Sequence, residues 1–141
     1  MTDECIFCRI VDGEIPAQTV EEGDAVLAFL DANPLARGHT LVIPKSHHET
    51  VADLPAETGE AVFGALYRLT PAVERAVDAD GSTIGLNNGR AAGQEVRHVH
   101  GHIVPRFEGD GVGALHTLFS GTVDLAEEEF DDIAERIQGG V

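Results

Sequence analysis

The order of apolar and polar residues predicts two kinds of element in this chain. Between residues 57 and 79, apolar residues recur at intervals of three and four, which is the spacing of one buried face of an α-helix. Pro71 lies inside this segment and is expected to kink the helix. Elsewhere, short apolar runs between turn residues are typical of β-strands. The apolar positions of the long helix are Val62, Leu66, Leu69, Val73 and Val77.

Turn residues, mainly Gly, Asn, Asp and Pro, divide the remaining chain into short elements. The first predicted strands are joined by short turns, which favours antiparallel pairing, so we predict an α+β fold. The last helix is amphipathic, and its apolar residues Phe130, Ile133, Ala134 and Ile137 are predicted to face inward. The predicted strands cover residues 19–21, 25–30, 40–43, 82–86 and 96–107, and two further helices cover residues 6–11 and 125–137.

The length of 141 residues fits one domain with a single core. We predict one domain over residues 1–141, with its core at about 5–113. The apolar runs are far shorter than the roughly 20 residues that a membrane helix needs. The N-terminus, residues 1–4, is acidic and lacks the basic start of a secretory signal. We therefore expect a cytoplasmic protein with no membrane partner.

Net charge is the unusual feature of the composition. The chain has 25 Asp and Glu residues against 9 Lys and Arg residues, a formal net charge of −16. A non-specific nucleic-acid binder needs a basic face, so we expect no nucleic-acid partner. Because about 1 M salt screens such self-repulsion, we predict a halophilic protein from an archaeon that needs molar salt to fold. A melting temperature that does not rise with KCl would instead favour an ordinary solvated surface.

Three histidines alternate with other residues in the segment from His98 to His102. On a strand, successive side chains point to opposite faces, so His98, His100 and His102 are predicted to share one face. The residues alone leave open a surface patch, a metal site of three imidazoles, or a nucleophilic histidine supported by its neighbours. Neutral imidazole is a good nucleophile towards phosphorus, and crowded imidazoles disfavour protonation of one another.

The two cysteines of the chain form a Cys5-x-x-Cys8 pair. In a cytoplasmic protein a disulfide is not expected. The pair is compatible with a redox centre, with half of a zinc site, or with two buried thiols. Structural zinc takes about four Cys and His ligands, and His47 or His48, together with His98, would complete such a set.

Several motifs in this order resemble the histidine triad (HIT) family. They are the alternating histidines, the loop at residues 87–96 before them, and earlier segments at 5–8, 30–31 and 38–45. The resemblance runs from about residue 5 to residue 113, and it implies a HIT-like fold. That fold is a five-stranded antiparallel sheet with packed helices, usually assembled as a two-fold homodimer. Gly101 departs from the bulky residue that is usual between the last two histidines.

The resemblance also implies roles for individual residues. His100 matches the nucleophile that attacks the α-phosphate of a nucleotide and forms a covalent nucleotidyl-histidine. His98 and His102 complete the catalytic set, and His102 matches a histidine that contacts the phosphate. Glu95 stands where some members have Ser or Thr. The implied nucleotide-binding residues are Asp31 at the ribose, Asn87 and Gln94 near the phosphates, the apolar base-pocket residues Ile6, Phe7, Ile10 and Phe29, and His39, a fourth histidine near the triad.

Some members of the family bind structural zinc through two cysteines and two histidines. By that pattern the zinc ligands are Cys5, Cys8, His47 and His98, and His48 is the alternative to His47 on spacing. Such a site would pin the N-terminal segment against the histidine strand and fix the orientation of His98.

We therefore expect an enzyme, a HIT-type nucleotide hydrolase or nucleotidyl transferase. Its substrate would be a purine nucleotide conjugate, such as an adenosine phosphoramidate or a dinucleoside polyphosphate. The alternative is a nucleotide-binding regulatory module with weak or vestigial catalysis. Arg90, Arg97 and Arg106 lie near the histidines in sequence, where they either attract an anionic substrate or are simply solvated.

Overall fold

A computed structural model describes residues 4–141, so residues 1–3 of the acidic N-terminal segment lie outside the described residues. The chain divides into two compact units, one up to Gly111 and one over residues 112–141. In residues 4–141, no helix has both the length and the apolar character needed to cross a membrane. The helices and strands are α1 (Ile6–Val11), β1 (Thr19–Glu22), β2 (Val26–Leu30), β3 (Thr40–Pro44), α2 (Ala56–Ala76), β4 (Gly81–Gly85), β5 (Gly101–Arg106) and α3 (Glu127–Gly140).

The first unit is built on a five-stranded sheet in the order β1-β2-β3-β5-β4, and every neighbouring pair is antiparallel. The predicted α+β class and the five-stranded antiparallel sheet are therefore confirmed. Short turns connect β1 to β2, whereas the long helix α2 lies between β3 and β4 in the chain. The predicted bounds of the first three strands and of α1 differ from the observed bounds by at most one residue.

Alternating side chains of the strands supply two apolar clusters, one on each face of the sheet. On one face, strand residues such as Val42 and Ile103 pack against the apolar stripe of α2, which includes Leu66. On the other face, residues such as Phe29 and Leu41 pack against Cys5, Phe7 and Cys8. The short helix α1 therefore covers the face opposite to α2, and its cysteines belong to the core of that face.

The last strand is shorter than predicted. We expected it to cover residues 96–107, but β5 covers only Gly101–Arg106, so His98 and His100 precede the strand. The ladder between β3 and β5 ends at the pair Val42 and Gly101. Beyond that pair, the carbonyl of Pro44 accepts a 2.8 Å hydrogen bond from the ring of His98. A side chain thus occupies the position where a ladder bond would continue the strand.

Gly101 packs closely against α2. A Cβ built on Gly101 would lie 2.8 Å from Cδ1 and 3.0 Å from Cδ2 of Leu66. Leu66 is itself buried, so the volume of the missing side chain is filled from the helix. The packing at this position is therefore tight.

In the second unit, α3 has no buried residue. The prediction that its apolar stripe faces inward is wrong for this structure, since Phe130 and Ile137 are exposed by 58% and 62%. Ile133 and Ala134 are exposed as well. A segment of residues 112–141 contains too few residues to enclose such a face by itself.

Candidate active site

The three histidines form a row of neighbouring rings on the face that α1 covers. The ring centroids of His100 and His102 are 5.1 Å apart. Phe7, from α1, contacts the rings of His98 and His100 edge-on, with centroids at 5.8 and 5.0 Å. His98 is completely buried, whereas His100 and His102 are partly exposed, so two of the three imidazoles are open to a ligand.

The ring of His100 is oriented by the main chain. Its Nδ1 lies 2.8 Å from the carbonyl oxygen of His98. A carbonyl only accepts hydrogen bonds, so Nδ1 carries the proton and donates it. In the neutral ring, Nε2 then holds the lone pair. This is the arrangement that a nucleophilic imidazole requires.

His98 lies at the centre of a cluster with the two cysteines. Its Nε2–H donates to the Pro44 carbonyl, so its Nδ1 lone pair faces the Cys5 and Cys8 sulfur atoms at 3.4 and 3.6 Å. His47 completes the cluster, with its Nδ1 3.3 Å from both the Cys8 Sγ and the His98 Nδ1. The alternative residue, His48, lies instead near Ser46, with Nε2 and Oγ 3.0 Å apart.

This Cys5, Cys8, His47 and His98 cluster fits a tetrahedral zinc ion. Its four ligand atoms all lie within 4.8 Å of one another. Zn–S and Zn–N bonds of about 2.0–2.3 Å at tetrahedral angles place ligand atoms roughly 3.3–3.8 Å apart, close to the separations in the cluster. Burial, followed by the neighbouring Cys5, raises the pKa of the Cys8 thiol to about 11. A bound cation would reverse that effect, because a coordinating thiol loses its proton.

The other end of the row is held by a chain of hydrogen bonds. The backbone N–H of Leu35 donates to Nδ1 of His39 at 3.0 Å, so the proton of a neutral His39 ring lies on Nε2. That Nε2 is 2.9 Å from Nδ1 of His102 and therefore donates to it. The remaining proton of a neutral His102 lies on its own Nε2, which becomes a donor towards the site.

Burial keeps both of these rings neutral. It is the largest cause that lowers the pKa of His102, to about 4, and His100 and His39 lower it further. Burial also lowers the pKa of His39, partly opposed by the charge of Asp31. The ligand atoms of Asp31, His39 and His102 also lie within 4.8 Å of one another, but the 2.9 Å hydrogen bond between the imidazoles explains their proximity without an ion.

The two carboxylate oxygens of Asp31 have different neighbours. Its Oδ1 accepts from the Asn33 backbone N–H at 2.9 Å, as expected of a turn residue. Its Oδ2 lies 3.7 Å from Nδ1 of His39, so the carboxylate is close to the histidine row. Its half-buried oxygens can still accept from a ligand hydroxyl.

The residues implied in a base pocket differ in exposure. Phe7 and Phe29 are buried and contact each other edge-on at 5.9 Å, as members of the apolar cluster under α1. Ile10 packs against that cluster and is partly exposed. Ile6 is 47% exposed, so it is the apolar side chain of this group that is most open to a planar ligand.

The loop before the histidines is fastened to a neighbouring segment. The side-chain oxygen of Gln94 accepts from the Gly89 backbone N–H at 2.7 Å, and its nitrogen donates to the carbonyls of Glu49 and Val96. The Gln94 amide is thus occupied by main-chain groups, whereas Asn87 is exposed. Gly89 adopts a φ of 91°, a conformation that disfavours other residues.

The three arginines near the histidines have different surroundings. Arg106 is bound to Asp110, with its Nε 2.8 Å from the carboxylate. Arg90 and Arg97 line one open cavity together with Glu49 and Gln94. Throughout residues 4–141, no carboxylate forms an ion pair with either of these two arginines, although acidic residues greatly outnumber basic ones.

Sequence patterns did not reveal the main-chain groups of the site. The carbonyls of His98 and Pro44 and the N–H of Leu35 determine the orientation of three histidine rings. Every residue has such groups, so no residue type marks them. Glu49 was also missed, since an isolated glutamate in an acidic chain carries no signal.

Comparison with known proteins gives one family. The model of the HIT domain matches residues 12–109. An uncharacterised HIT-like protein of Methanocaldococcus jannaschii is 53% identical over 108 residues, which is 76% of this chain and 82% of that protein. Adenylylsulfatase HINT3 of Arabidopsis thaliana is 37% identical over 128 residues, which is 91% of this chain and 65% of that protein.

Solved structures show the same fold. A zinc-bound histidine triad protein from Mycobacterium smegmatis has a TM-score of 0.75 at 39% identity, with 92% of this chain and 88% of that chain covered. A histidine triad nucleotide-binding protein from Candida albicans has a TM-score of 0.81 at 29% identity, with 97% and 96% covered. Such similar proteins occur in bacteria as well as archaea, and they do not support the halophilic archaeal source expected from the charge.

Proposed function

Because the chain belongs to the HIT family, we propose that it is an enzyme that cleaves nucleotide conjugates at the α-phosphate. The observation that carries this proposal is the orientation of His100. Its Nδ1–H is bound to the His98 carbonyl, which leaves Nε2 as a free lone pair in a partly exposed position. A nucleophile of this kind divides one difficult substitution at phosphorus into two easier steps.

In the first step, Nε2 of His100 attacks the α-phosphorus. A P–N bond forms, and the bond to the leaving group breaks; the leaving group departs with the electron pair and takes up a proton. In the second step, water attacks the same phosphorus, the P–N bond breaks, and the nucleoside monophosphate is released. If an alcohol or amine takes the place of water, the same intermediate gives nucleotidyl transfer.

Neighbouring groups would bind and orient the nucleotide. The Nε2–H of His102 is a donor for a non-bridging phosphate oxygen, and fixed donors of this kind account for much of the catalysis of phosphoryl transfer. We assign Asp31 to the ribose hydroxyls, Asn87 to the phosphates and Ile6 to a face of the purine. The amide of Gln94 is already bound to the main chain, so its contribution would be to hold the phosphate loop.

The names of two similar proteins support this substrate class. One is an adenylylsulfatase, whose name describes a nucleotide conjugate, and another is a nucleotide-binding protein. For this chain we propose adenosine phosphoramidates or dinucleoside polyphosphates as substrates.

We further propose that the Cys5, Cys8, His47 and His98 cluster holds a structural zinc ion. The ligand-atom separations support it, as does a zinc-bound protein of the same family. Elemental analysis after exhaustive dialysis tests this assignment. Close to one zinc per chain is expected, and a strongly substoichiometric content would mean that the thiols are free.

A homodimer is the assembly that we propose. Strand β4 forms one edge of the sheet, and Ile84 on that strand is exposed by 45%. Phe63 and Tyr67 on α2 are exposed and lie four residues apart, so they share one face of the helix. Light scattering should give twice the chain mass, and a monomer mass in high salt would contradict the dimer.

The function is tested by incubating the protein with an AMP-amine phosphoramidate and with a dinucleoside polyphosphate. The wild type should release AMP from at least one of them. The His100→Ala variant should bind AMP with similar affinity but lose turnover by orders of magnitude, because the lone pair of His98 faces the cysteines and that of His102 is bound to His39. Tight nucleotide binding without turnover in the wild type would instead favour a regulatory module.

A further inference from the structure

We propose that Cys5, Cys8 and His47 are positioning residues for His100, acting through the peptide group between His98 and Val99. Their effect on turnover rests on the proposed function, but their effect on the His100 ring does not. The cluster then has a role beyond stabilising the fold, because metal binding to it determines whether the His100 ring is oriented for attack.

The peptide group between His98 and Val99 is bound at both of its ends. Its carbonyl accepts from Nδ1–H of His100 at 2.8 Å, and its N–H donates to the carbonyl of His48 at 2.8 Å. A peptide group is planar, so the direction of the N–H bond fixes the direction of the carbonyl. The hydrogen bond to His48 therefore also determines where the His100 ring points.

Both chain segments that hold this peptide carry a ligand of the cluster. His98 contributes its ring to the cluster on one side of the peptide, and its ring nitrogens are engaged with the cluster and with the Pro44 carbonyl. His48, which accepts from the peptide, directly follows His47, whose Nδ1 is 3.3 Å from Nδ1 of His98. A shared metal ion at these two nitrogens would set the spacing of the two segments.

Without a shared ion, the two rings are joined directly by one hydrogen bond of 3.3 Å, from Nδ1–H of His47 to Nδ1 of His98. Nδ1 of neutral His98 is an acceptor, because the proton of that ring lies on Nε2. Only weak donors such as thiols surround it on the cysteine side. The His47 segment is then held to the His98 segment by hydrogen bonds and not by a metal, and any shift between the two segments moves the peptide that orients His100.

Helix α1 provides a second connection between the cysteines and His100. Cys5 caps this helix, accepting at its Sγ from the Cys8 backbone N–H, and Phe7 lies between the two cysteines. The Phe7 ring contacts both His98 and His100. Ligation of the cysteines therefore also fixes the aromatic side chain that packs against the nucleophile.

The test compares three variants of the full-length protein. His47→Ala removes a partly exposed ligand that does not contact His100, so the fold is expected to survive. His47→Cys keeps four ligands of the type that zinc accepts. His48→Ala is the matched control, because it removes the neighbouring imidazole but keeps the main-chain carbonyl. Each protein is measured after chelation and after addition of Zn²⁺.

Two readouts separate positioning from folding. The first is the long-range ¹H–¹⁵N NMR spectrum of the imidazoles, which distinguishes a ring protonated on Nδ1 from one protonated on Nε2. The second is kcat for the AMP-amine phosphoramidate beside the Kd of AMP. Circular dichroism confirms that each variant is folded.

We expect the zinc-loaded wild type, His47→Cys and His48→Ala to show His100 protonated on Nδ1. Chelated wild type and His47→Ala should show mixed tautomers, with kcat lower by about 10- to 100-fold and the Kd of AMP within about 3-fold of wild type. Added Zn²⁺ should restore the chelated wild type.

A folded, metal-free protein with unchanged His100 signals and unchanged kcat would overturn the inference, as would a wild type whose His100 signals do not respond to zinc at all. An equal loss of AMP affinity and kcat would mean that the cluster only maintains the fold. Failure of the proposed function has a different signature: no turnover by any form, while the zinc-dependent change of the His100 signals persists.

Discussion

The two ends of the histidine row are held by different chemistry. At one end, His98 is completely buried among two sulfur atoms and a second imidazole, a set of groups suited to a metal ion. At the other end, His102 is held by a single 2.9 Å hydrogen bond from His39, whose own orientation comes from a backbone N–H. His100 lies between them and is oriented by a carbonyl.

Because of this difference, the two ends should respond differently to removal of metal and to loss of a single hydrogen bond. Cys and His ligands must be deprotonated to bind a metal, so the His98 end should respond to metal supply and to chelators. The His102 end depends on neutral imidazoles with fixed tautomers, so it should respond to acid and to the loss of one donor. A substitution at His102 should leave metal binding at the His98 end unchanged, and a substitution of a cluster ligand should leave the effect of acid on His102 unchanged.

The largest effect is expected from removal of His98. His98→Ala should abolish the proposed zinc binding and lower the free energy of unfolding by about 3 kcal/mol or more, because a fully enclosed ring and a ligand are lost together. His102→Ala should lower the turnover rate but keep the metal. Zinc content and urea unfolding check both variants. Equal loss of zinc from both would mean that the row itself is a metal site.

Acid should act at both ends, since burial lowers the pKa of His98 as well as that of His102, but at the His102 end it acts on a ring outside the Cys5, Cys8, His47 and His98 cluster. The pKa of His102 is about 4 in the folded protein. A histidine in the unfolded chain titrates near 6.5, so between these pH values the unfolded chain binds more protons and the free energy of unfolding rises with pH. His102 should therefore contribute a loss of stability of roughly 3 kcal/mol as the pH drops from about 6.5 to 4. Urea unfolding across this range, compared between the wild type and a variant that does not titrate at position 102, measures it.

His102→Gln is the comparison for the acid response. Because glutamine does not titrate, the variant should lose stability less steeply over the same pH range. An identical slope in both proteins would show that other groups cause the acid response.

Gly101 lies between His100 and His102 in the chain, and a substitution there tests how tightly this segment packs against α2. Gly101→Ala should lower the free energy of unfolding by about 1–3 kcal/mol, because the new methyl group would approach Leu66 to 2.8 Å. Gly85→Ala on the neighbouring strand is the matched control, since a Cβ there has no neighbour within 4 Å. Equal unfolding midpoints in denaturant would contradict the tight packing at Gly101.

The smallest effect is expected from substitutions of His39 that each keep one of its two ring hydrogen bonds. Asparagine places an acceptor near the Nδ1 position and keeps the bond from Leu35, whereas glutamine places a donor near the Nε2 position and keeps the bond to His102. If the tautomer of His102 matters, His39→Asn should lose about 10-fold in kcat and His39→Gln should lose less. A larger loss of kcat in His39→Gln than in His39→Asn would mean that the hydrogen bond from Leu35, and not the tautomer of His102, determines the turnover rate.

Much of the fold followed from the sequence pattern. The short apolar runs at β2 and β3, the stripe of α2 and the short turns were enough to predict an antiparallel α+β sheet. The alternation from His98 to His102 also predicted neighbouring imidazoles, and the structure brings their rings together. These features depend on local residue types, which a sequence displays directly.

Features that depend on distant main-chain groups were not predicted. The early end of the ladder before His100 results from the Pro44 carbonyl, 54 residues from His98 in sequence. The space left by Gly101 is filled by Leu66, a residue of a different element. The stripe of α3 shows that a helical period identifies an apolar face but not what covers it.

The central claim is that His100 forms a covalent bond to phosphorus. The direct measurement is mass spectrometry of peptides from protein quenched in denaturing alkali during turnover of an AMP-amine phosphoramidate, since P–N bonds survive alkali better than acid. We predict one AMP on the peptide that contains His100, and none in the His100→Ala variant. An adduct on another residue, or full turnover by His100→Ala, would contradict the account.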